Sequence, residues 1–287
     1  MGVWEVLVDE ASKQAKAGRD RPQARLRAGA RRRLSVVAGP AAFVTRRPRH
    51  GYGRAVTAAG ARPLALVTGA SRGIGAAVAE ALAPSHDVLL GGRDPDALAA
   101  AAAGLAGARA WPVELTDPGA VARAVADIER LDVLVHSAGI GPLGTVEDSP
   151  AEQWRRTFEV NVVAVAELTR LLLPALRAAR GHVVCINSGA GHTARPGWGS
   201  YAASKFALRA FADALRAEEA AHGVRVTSVH PGRTDTAMQR AVVAHEGGRY
   251  DAARFLRPGS VARVVLLAVT APADADVTEV SIRPAPR

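Results

Sequence analysis

The sequence predicts a three-layer, doubly wound α/β fold built on a mainly parallel, seven-stranded sheet. Seven apolar segments of strand length alternate with helical stretches that are rich in alanine. The apolar segments are continuous rather than interrupted by polar residues, which is typical of strands whose two faces are both covered by helices. Parallel sheets of this kind bind ligands at the carboxyl ends of their strands, so functional residues are expected there.

Each element carries its own local signal. The predicted strands are residues 63–68, 87–92, 108–115, 131–139, 182–188, 223–232 and 277–282. The predicted helices are residues 73–84, 97–105, 117–130, 150–179, 200–221 and 258–269. Pro84 ends the first helix, because proline cannot continue a helical hydrogen-bond ladder. Asp94 is expected to cap the second helix with its carboxylate, and Asp117 is expected to begin the third helix.

Length and composition favour a globular domain with a sizeable core. The chain has 287 residues, of which 48% are hydrophobic. No apolar run reaches the roughly 18 residues that a membrane-spanning helix needs, so we predict a cytoplasmic protein with no membrane partner. The single cysteine, Cys185, rules out an intrachain disulfide. It lies in an apolar run, which favours a buried structural thiol over a nucleophile.

The excess of basic residues is confined to the start of the chain. The net charge is +10, and residues 1–62 contain 14 Lys+Arg against 4 Asp+Glu, whereas residues 63–287 are balanced. We therefore predict a basic arm over residues 1–62, disordered or loosely helical, and a single folded domain over residues 63–287. An upstream start-site artefact, with the natural start near Val56, is the alternative account of the arm. Because the domain has no basic imbalance, a nucleic-acid partner is not predicted.

A glycine-rich turn joins the first strand to the first helix. The run TGASRGIG spans Thr68–Gly75 and contains Gly69, Gly73 and Gly75. Glycines allow a tight turn and a close backbone approach to a pyrophosphate, and the helix N-terminus offers free N–H groups. The turn therefore predicts a dinucleotide-binding site, although an isolated glycine-rich turn has moderate specificity.

A tyrosine and a lysine with helical spacing indicate proton-transfer chemistry. Tyr201 and Lys205 are four residues apart in the run SYAASK, so a helix places them on one face. An isolated pair of this kind is more often a packed tyrosine beside a solvated lysine. A tyrosine hydroxyl has a pKa near 10 in water, and a neighbouring ammonium lowers that pKa toward the useful range. The dinucleotide turn upstream favours the chemical interpretation.

Six motifs in a common order resemble the short-chain dehydrogenase/reductase family. They are TGASRGIG, HSAG, Asn161, Ser188, SYAASK and HPGRTDT. The resemblance covers about residues 63–287 and implies a Rossmann fold with oxidoreductase activity. It implies that Tyr201 is the general acid/base, that Lys205 lowers the pKa of that tyrosine and holds the nicotinamide ribose, and that Ser188 hydrogen-bonds the substrate oxygen. Asn161 would help to organise a water-linked proton path to the lysine.

The resemblance also implies a set of cofactor-binding residues. They are Gly69, Ser71, Arg72, Gly73, Ile74, Gly75, Arg93, Glu114, Leu115, Ala138, Gly139, Tyr201, Lys205, Pro231, Gly232, Thr234 and Thr236. Three positions depart from the family pattern. His136 and Ser137 replace a pair of asparagines, in a motif that acts mainly through its backbone. Glu114 replaces the aspartate that usually meets the adenine, which keeps the acceptor on a longer side chain.

Charge at the end of the second strand favours NADP(H) over NAD(H). NAD-dependent enzymes place an acidic residue there to accept a hydrogen bond from the ribose 2′-hydroxyl. Here Gly92 takes that position, Arg93 follows it, and Arg72 lies in the glycine-rich turn. Two guanidinium groups without a carboxylate suit a 2′-phosphate. The competing interpretation is that both arginines are solvated surface residues.

The substrate pocket has the weakest sequence signal. Ser188, His192, Trp198 and Met238 are predicted to line it, and no spacing of His, Cys or carboxylate residues indicates a metal site. We predict NADP(H)-dependent interconversion of a small-molecule carbonyl compound and an alcohol by a homodimer or homotetramer. The alternative is a cofactor-sensing regulatory protein on the same fold. Such a protein could lose its catalytic side chains, whereas this chain retains Tyr201, Lys205 and Ser188.

Overall fold

A seven-stranded sheet forms the centre of the computed structural model, which describes residues 62–286. The strands are β1 (Leu64–Thr68), β2 (Asp87–Gly92), β3 (Ala108–Pro112), β4 (Val133–His136), β5 (His182–Ile186), β6 (Arg225–Pro231) and β7 (Glu279–Ile282). Their order in the sheet is β3-β2-β1-β4-β5-β6-β7, and all six pairings are parallel. The predicted fold class is confirmed. The predictions for the basic arm lie outside the described residues, apart from its last residue, Arg62.

Helices cover both faces of this sheet. They are α1 (Gly73–Leu82), α2 (Pro95–Ala102), α3 (Pro118–Val125), α4 (Ala151–Phe158), α5 (Ala164–Ala179), α6 (Gly199–Glu219), α7 (Ala237–His245) and α8 (Pro258–Val269). Apolar residues of α1, α2 and α8 share one hydrophobic cluster with the sheet, and those of α3, α5 and α6 share another. Every helix within residues 62–286 is too short or too polar to cross a lipid bilayer.

Alternation along each strand divides the core between the two faces. In β1, the side chain of Leu66 joins the cluster with α3, α5 and α6, while Ala65 and Val67 join the opposite cluster. Successive strand residues point to opposite faces, and both faces are buried, which explains the continuous apolar runs. Cys185 of β5 is fully buried, and this burial raises the pKa of its thiol to about 12. The prediction of a structural thiol is confirmed.

Two aspartates cap helices, and the cap at Asp94 was predicted. One oxygen of Asp94 accepts hydrogen bonds from the backbone N–H groups of Asp96 and Ala97, both at 3.1 Å. Asp117 accepts from the N–H of Ala120 at 3.0 Å. The helix that follows Asp117 ends at Val125, whereas residues up to 130 were predicted to be helical.

Two helical features were not predicted. The predicted helix over residues 150–179 contains a π-helical turn, Glu159–Val163, between α4 and α5. Such turns insert an extra residue and are frequent at functional sites. α7 follows β6 and contains Met238, which was predicted to line the pocket, but no helix was predicted here. It is capped by Thr236, whose hydroxyl accepts from the N–H of Gln239 at 3.2 Å.

The strand order reverses between β1 and β4, and this reversal positions the site. Connections from β1 and β4 leave in opposite directions, so their carboxyl ends border a crevice where open α/β sheets bind ligands. The hydroxyl of Thr68, at the end of β1, accepts from the N–H groups of Ser137 and Ala138 at 3.0 and 3.1 Å. This bridge holds the segments after the two strands side by side.

Candidate active site

The glycine-rich turn has a backbone that larger residues would disrupt. Gly69 and Gly73 have positive φ angles of 65° and 62°, which favour glycine over residues with a side chain. A Cβ on Gly69 would lie 2.8 Å from the Cα of Ala138, and one on Gly75 would lie 2.3 Å from the carbonyl oxygen of Gly69. The turn therefore packs backbone against backbone, at the N-terminus of α1. Its N–H groups and helix dipole suit a bound phosphate.

The end of β4 and the segment after it accommodate His136 and Ser137, which replace the pair of asparagines typical of the family. His136 is buried, and its Nε2 lies 2.9 Å from the hydroxyl of Thr169. Burial lowers the pKa of His136 to about 3, so the ring is neutral at physiological pH. A neutral, hydrogen-bonded ring can replace an asparagine here because the neighbouring N–H groups of Ser137 and Ala138 make the contacts with Thr68.

Two charged residues meet beyond the end of β2. Arg93 lies directly after the strand with an exposed side chain, and its Nη1 is 3.9 Å from Oε2 of Glu114. Glu114 also accepts from the hydroxyl of Thr116 at 2.8 Å. Burial tends to raise the pKa of Glu114, but hydrogen bonds from Thr116 and the charge of Arg93 outweigh burial and lower it. Leu115 packs against the hydrophobic core.

Tyr201 and Lys205 lie one turn apart near the start of α6, and both are buried. The ammonium of Lys205 donates to the carbonyl of Ile186, at the end of β5, over 3.0 Å. It lies 5.9 Å from the centroid of the Tyr201 ring. Burial lowers the pKa of Lys205 to about 8. The ring of Trp198 packs edge-on against Tyr201, with centroids 5.8 Å apart.

The pKa of Tyr201 moves in the direction opposite to the one expected. We predicted that Lys205 lowers it, but burial raises it, and the nearby Ser188 hydroxyl only opposes that rise. The physical reason is that desolvation penalises the phenolate, while the ammonium of Lys205 is directed to the carbonyl of Ile186. The hydroxyl is therefore protonated at physiological pH, which suits a proton donor.

Ser188 follows β5 and faces the tyrosine. Its N–H donates to Oδ1 of Asn187 at 2.9 Å, and its hydroxyl accepts from the N–H of Ala190 at 3.1 Å. Its carbonyl lies 2.9 Å from Nδ1 of His230, a fully buried residue of β6. These three contacts fix the backbone on which the Ser188 hydroxyl is mounted. The role of His230 was not predicted, because it depends on the pairing of β5 with β6.

The π-helical turn carries Asn161 into the interior. Its Oδ1 accepts from the N–H of Ile140 at 2.9 Å, and its Nδ2 donates to the carbonyl of Ile140 at 2.9 Å. The same Nδ2 donates to the hydroxyl of Ser204 at 3.0 Å, and that hydroxyl donates to the carbonyl of Tyr201 at 2.7 Å. Asn161 thus connects the segment after β4 to the helix that carries Tyr201. A proton path through this asparagine stays a prediction.

One cavity of about 530 Å³ contains most of the predicted substrate residues and part of the cofactor set. Of the predicted residues, Ile74, Ser188, Trp198, Tyr201, Pro231, Gly232, Thr234, Thr236 and Met238 line it. Asn161 and Lys205 lie buried behind this wall. His192 is outside the lining, because its ring stacks on His230 with centroids 4.1 Å apart. Arg283 on the far side of Gly189 was not predicted, since it comes from the last strand.

The fold brings His192, His230 and Glu279 together, although their spacing in the sequence gives no sign of this. The two histidine Nε2 atoms lie 3.6 and 3.4 Å from the carboxylate of Glu279. Arg209 pairs with the same carboxylate at 3.1 Å, and His230 also lies 2.9 Å from the hydroxyl of Ser228. The ion pair of Arg209 with Glu279 and the hydrogen bond between His230 and Ser228 hold two members of the cluster in place, and we assign no metal to it.

Fold and site together define a dinucleotide-binding oxidoreductase. A glycine-rich turn at the strand-order reversal and a buried tyrosine at the end of the same crevice carry this assignment. A family model described as short chain dehydrogenase matches residues 63–247. The chain belongs to the short-chain dehydrogenase/reductase family, whose members bind nicotinamide cofactors.

Two curated relatives illustrate the family resemblance. Glycine betaine reductase ATRR from Emericella nidulans is 36% identical over 77% of this chain, which spans 18% of the relative. Dehydrogenase/reductase SDR family member 7B from Bos taurus is 36% identical over 64% of this chain and 62% of the relative. The chain thus spans less than two thirds of the length of either relative.

A solved structure has the same architecture. The alcohol dehydrogenase from the archaeon Thermococcus sibiricus, complexed with 5-hydroxy-NADP, superimposes with a TM-score of 0.70. The two sequences are 26% identical, and the match covers 77% of this chain and 96% of the archaeal chain.

Proposed function

We propose that this chain is an NADP(H)-dependent oxidoreductase that interconverts a carbonyl compound and an alcohol. The observation that carries the proposal is a single cavity that extends from Ile74, in the glycine-rich turn, to the side chains of Ser188 and Tyr201. A cofactor held at the turn and a substrate held at the two hydroxyls would therefore share one cavity. Its volume, about 530 Å³, lies in the range of small-molecule sites.

The residues at the turn fit a dinucleotide. A Cβ at Gly69 or Gly75 would collide with neighbouring backbone, so the turn keeps a concave surface that a phosphate can approach. Lys205 would hold the nicotinamide ribose with its ammonium, and Thr234 and Thr236 would contact the carboxamide and the phosphates. When bound, the nicotinamide would supply the hydride that the substrate carbon accepts in reduction.

The chain's own contribution is to place and protonate the substrate oxygen. The Ser188 hydroxyl would donate a hydrogen bond to this oxygen and stabilise its developing negative charge. The Tyr201 hydroxyl would give it a proton, and the pKa of Tyr201, raised by burial, keeps that proton available. Asn161 would act through Ser204, whose hydroxyl donates to the carbonyl of Tyr201.

Purified protein, NADPH and a panel of aldehydes and ketones test this function. We expect substrate-dependent oxidation of NADPH, with the matching alcohol as product. If the protein binds NADPH but turns over none of the panel, and NADP⁺ with the corresponding alcohols also fails, the regulatory alternative replaces the enzyme. Binding is followed separately by the fluorescence of NADPH.

Arg93 supports the choice of NADP(H). It is a guanidinium at the end of β2, where Gly92 leaves no carboxylate to accept from a ribose hydroxyl. The Thermococcus sibiricus neighbour is complexed with 5-hydroxy-NADP, which agrees with this choice. In our proposal Arg93 binds the 2′-phosphate and Glu114, which now pairs with Arg93 at 3.9 Å, meets the adenine.

Arg93→Gln should weaken NADPH binding about tenfold and leave NADH binding almost unchanged. A charge-assisted hydrogen bond contributes about 1.5–3 kcal/mol, and the exposure of Arg93 puts the effect at the low end of that range. Arg109→Gln removes an exposed charge from β3 and serves as the matched control. The measurement is the dissociation constant of each cofactor. Equal losses for NADPH and NADH would show that Arg93 does not bind the 2′-phosphate.

We also propose that residues 1–61 are dispensable for folding and catalysis. The family match begins at residue 63, and β1 begins at Leu64. Arg62 belongs with the domain rather than with the arm, because it donates to the carbonyls of Ala83 and His86, the latter at 2.9 Å. We therefore propose that the domain begins at Arg62 rather than at residue 63.

A protein that begins at Arg62 should keep its melting temperature and its kcat/KM within about twofold. The reason is that the arm holds all of the net charge, while the apolar residues of residues 62–286 form their own core. Thermal unfolding and NADPH-dependent turnover of the two lengths are compared. A variant that begins at Leu64 tests Arg62 separately. If only the protein that begins at Leu64 fails to fold, the contacts of Arg62 are needed for folding. If both proteins fail to fold, the domain begins further upstream.

A further inference from the structure

The wall of the proposed active-site cavity carries charge of one sign. Among its lining residues are four arginines, Arg195, Arg233, Arg254 and Arg283, and no aspartate, glutamate or lysine. This differs from the rest of the domain, because residues 63–287 contain equal numbers of basic and acidic side chains. A cavity with low-dielectric walls and a single sign of charge concentrates ligands of the opposite charge. The cavity is therefore built to attract an anion.

Two of the four arginines are held by contacts within the protein. Arg233 pairs with Glu246 at 2.6 Å and lies over the ring of Phe255, 5.2 Å from its centroid. Arg283 donates to the carbonyl of His230 at 2.7 Å. These contacts hold both side chains next to Gly232, on the side of the cavity that we assign to the cofactor.

Arg195 and Arg254 differ from the other two. Both side chains are exposed, and among residues 62–286 no carboxylate lies within 4.0 Å of either guanidinium and neither makes a side-chain hydrogen bond. Arg195 lies in the loop between Ser188 and Trp198, and Arg254 ends the 3₁₀ turn Ala252–Arg254. They come from two separate segments that border the same cavity, and their planar forks match a carboxylate or phosphate.

The position of Arg195 favours the substrate over the cofactor as the bound anion. The cofactor phosphates belong at the glycine-rich turn and the N-terminus of α1. Arg195, by contrast, shares a loop with Trp198, whose ring packs on Tyr201, the proposed proton donor. An anionic group held in this loop would lie on the same side of the cavity as the reacting oxygen.

We propose that the natural substrate carries an anionic group, of the carboxylate or phosphate type, which Arg195 and Arg254 bind while its carbonyl or alcohol group meets Ser188 and Tyr201. This inference rests on the proposed oxidoreductase function and adds the class of substrate to it. The two arginines would select the substrate without taking part in proton or hydride transfer.

A pair of aldehydes that differ by one charge tests the proposal. For reduction with NADPH, 4-carboxybenzaldehyde should have a kcat/KM about tenfold or more above that of methyl 4-formylbenzoate. In the double variant Arg195→Gln/Arg254→Gln this preference should disappear, mainly through KM. Arg249→Gln removes an exposed charge that does not line the cavity, and it should keep the preference. Affinity for NADPH should be unchanged in all variants.

Each outcome separates this inference from the proposed function. Turnover of both aldehydes at equal efficiency would support the oxidoreductase and overturn the anionic substrate. A fall in NADPH affinity in the double variant would assign the arginines to the cofactor and would also overturn it.

If neither aldehyde is reduced, calorimetry with benzoate and phenyl phosphate still tests whether the two arginines bind an anion. Binding to the protein–NADPH complex that is lost in the double variant supports the anion site, and absence of binding overturns it. The tighter ligand identifies the anion.

Discussion

Tyr201→Phe should lower kcat by about a hundredfold or more while NADPH binds with nearly native affinity. A positioned general acid contributes about 10²- to 10⁴-fold to the rate, and this substitution removes only the hydroxyl that we assign to that role. The aromatic ring that packs against Trp198 is retained, so the cavity keeps its shape. The raised pKa keeps the proton on the buried Tyr201 hydroxyl, and phenylalanine has no proton to give in its place.

The matched control is Tyr250→Phe. Its hydroxyl donates to Asp235 at 2.5 Å, and the residue does not line the cavity. We expect kcat to remain within about twofold, because only a surface hydrogen bond is lost. Steady-state kinetics, NADPH fluorescence and thermal unfolding are measured for both variants. A Tyr201→Phe protein with near-native kcat would refute the assignment of Tyr201 as the acid.

The architecture was predictable because it depends on patterns that are local in the sequence. Continuous apolar runs reveal strands buried on both faces, and a carboxylate before a helix, as at Asp94, reveals a cap. The glycine-rich turn was predictable for the same reason. Its positive φ angles at Gly69 and Gly73 are requirements of single residues.

The parts that were not predicted depend on contacts between distant segments. Arg283 is near Ser188 only because β7 pairs with β6 and β6 pairs with β5. The predicted direction of the Tyr201 pKa shift was wrong, because sequence spacing reveals a neighbouring lysine but does not reveal the burial that raises this pKa. His192 was placed in the pocket from its position in the loop, whereas stacking on His230 turns its ring away. The helix after Asp117 also ends at Val125, before the predicted residue 130.

Gly75→Ala should weaken NADPH binding about a hundredfold, because the added methyl group cannot be accommodated without moving the turn. Its Cβ would lie 2.3 Å from the carbonyl oxygen and 2.7 Å from the carbonyl carbon of Gly69. Gly69 cannot retreat, since it is itself packed against Ala138. Displacing the turn would misalign the backbone N–H groups that bind the pyrophosphate, and losing two charge-assisted hydrogen bonds corresponds to at least about 3 kcal/mol. Overpacking should also lower the free energy of unfolding by about 1–3 kcal/mol.

Gly259→Ala is the matched control for this prediction, because it also lies in the first turn of a helix. A Cβ at Gly259 would have no neighbour within 4 Å, so we expect native NADPH affinity and a free energy of unfolding that is unchanged or higher by up to about 1 kcal/mol. NADPH titration and chemical denaturation are measured on both variants. Ser71→Asp adds a negative charge to the same turn and should weaken NADPH by repulsion, which gives a second test if Gly75→Ala folds poorly. Native affinity in both turn variants would mean that the cofactor does not bind at this glycine-rich turn, and the proposed active site would then have to be moved.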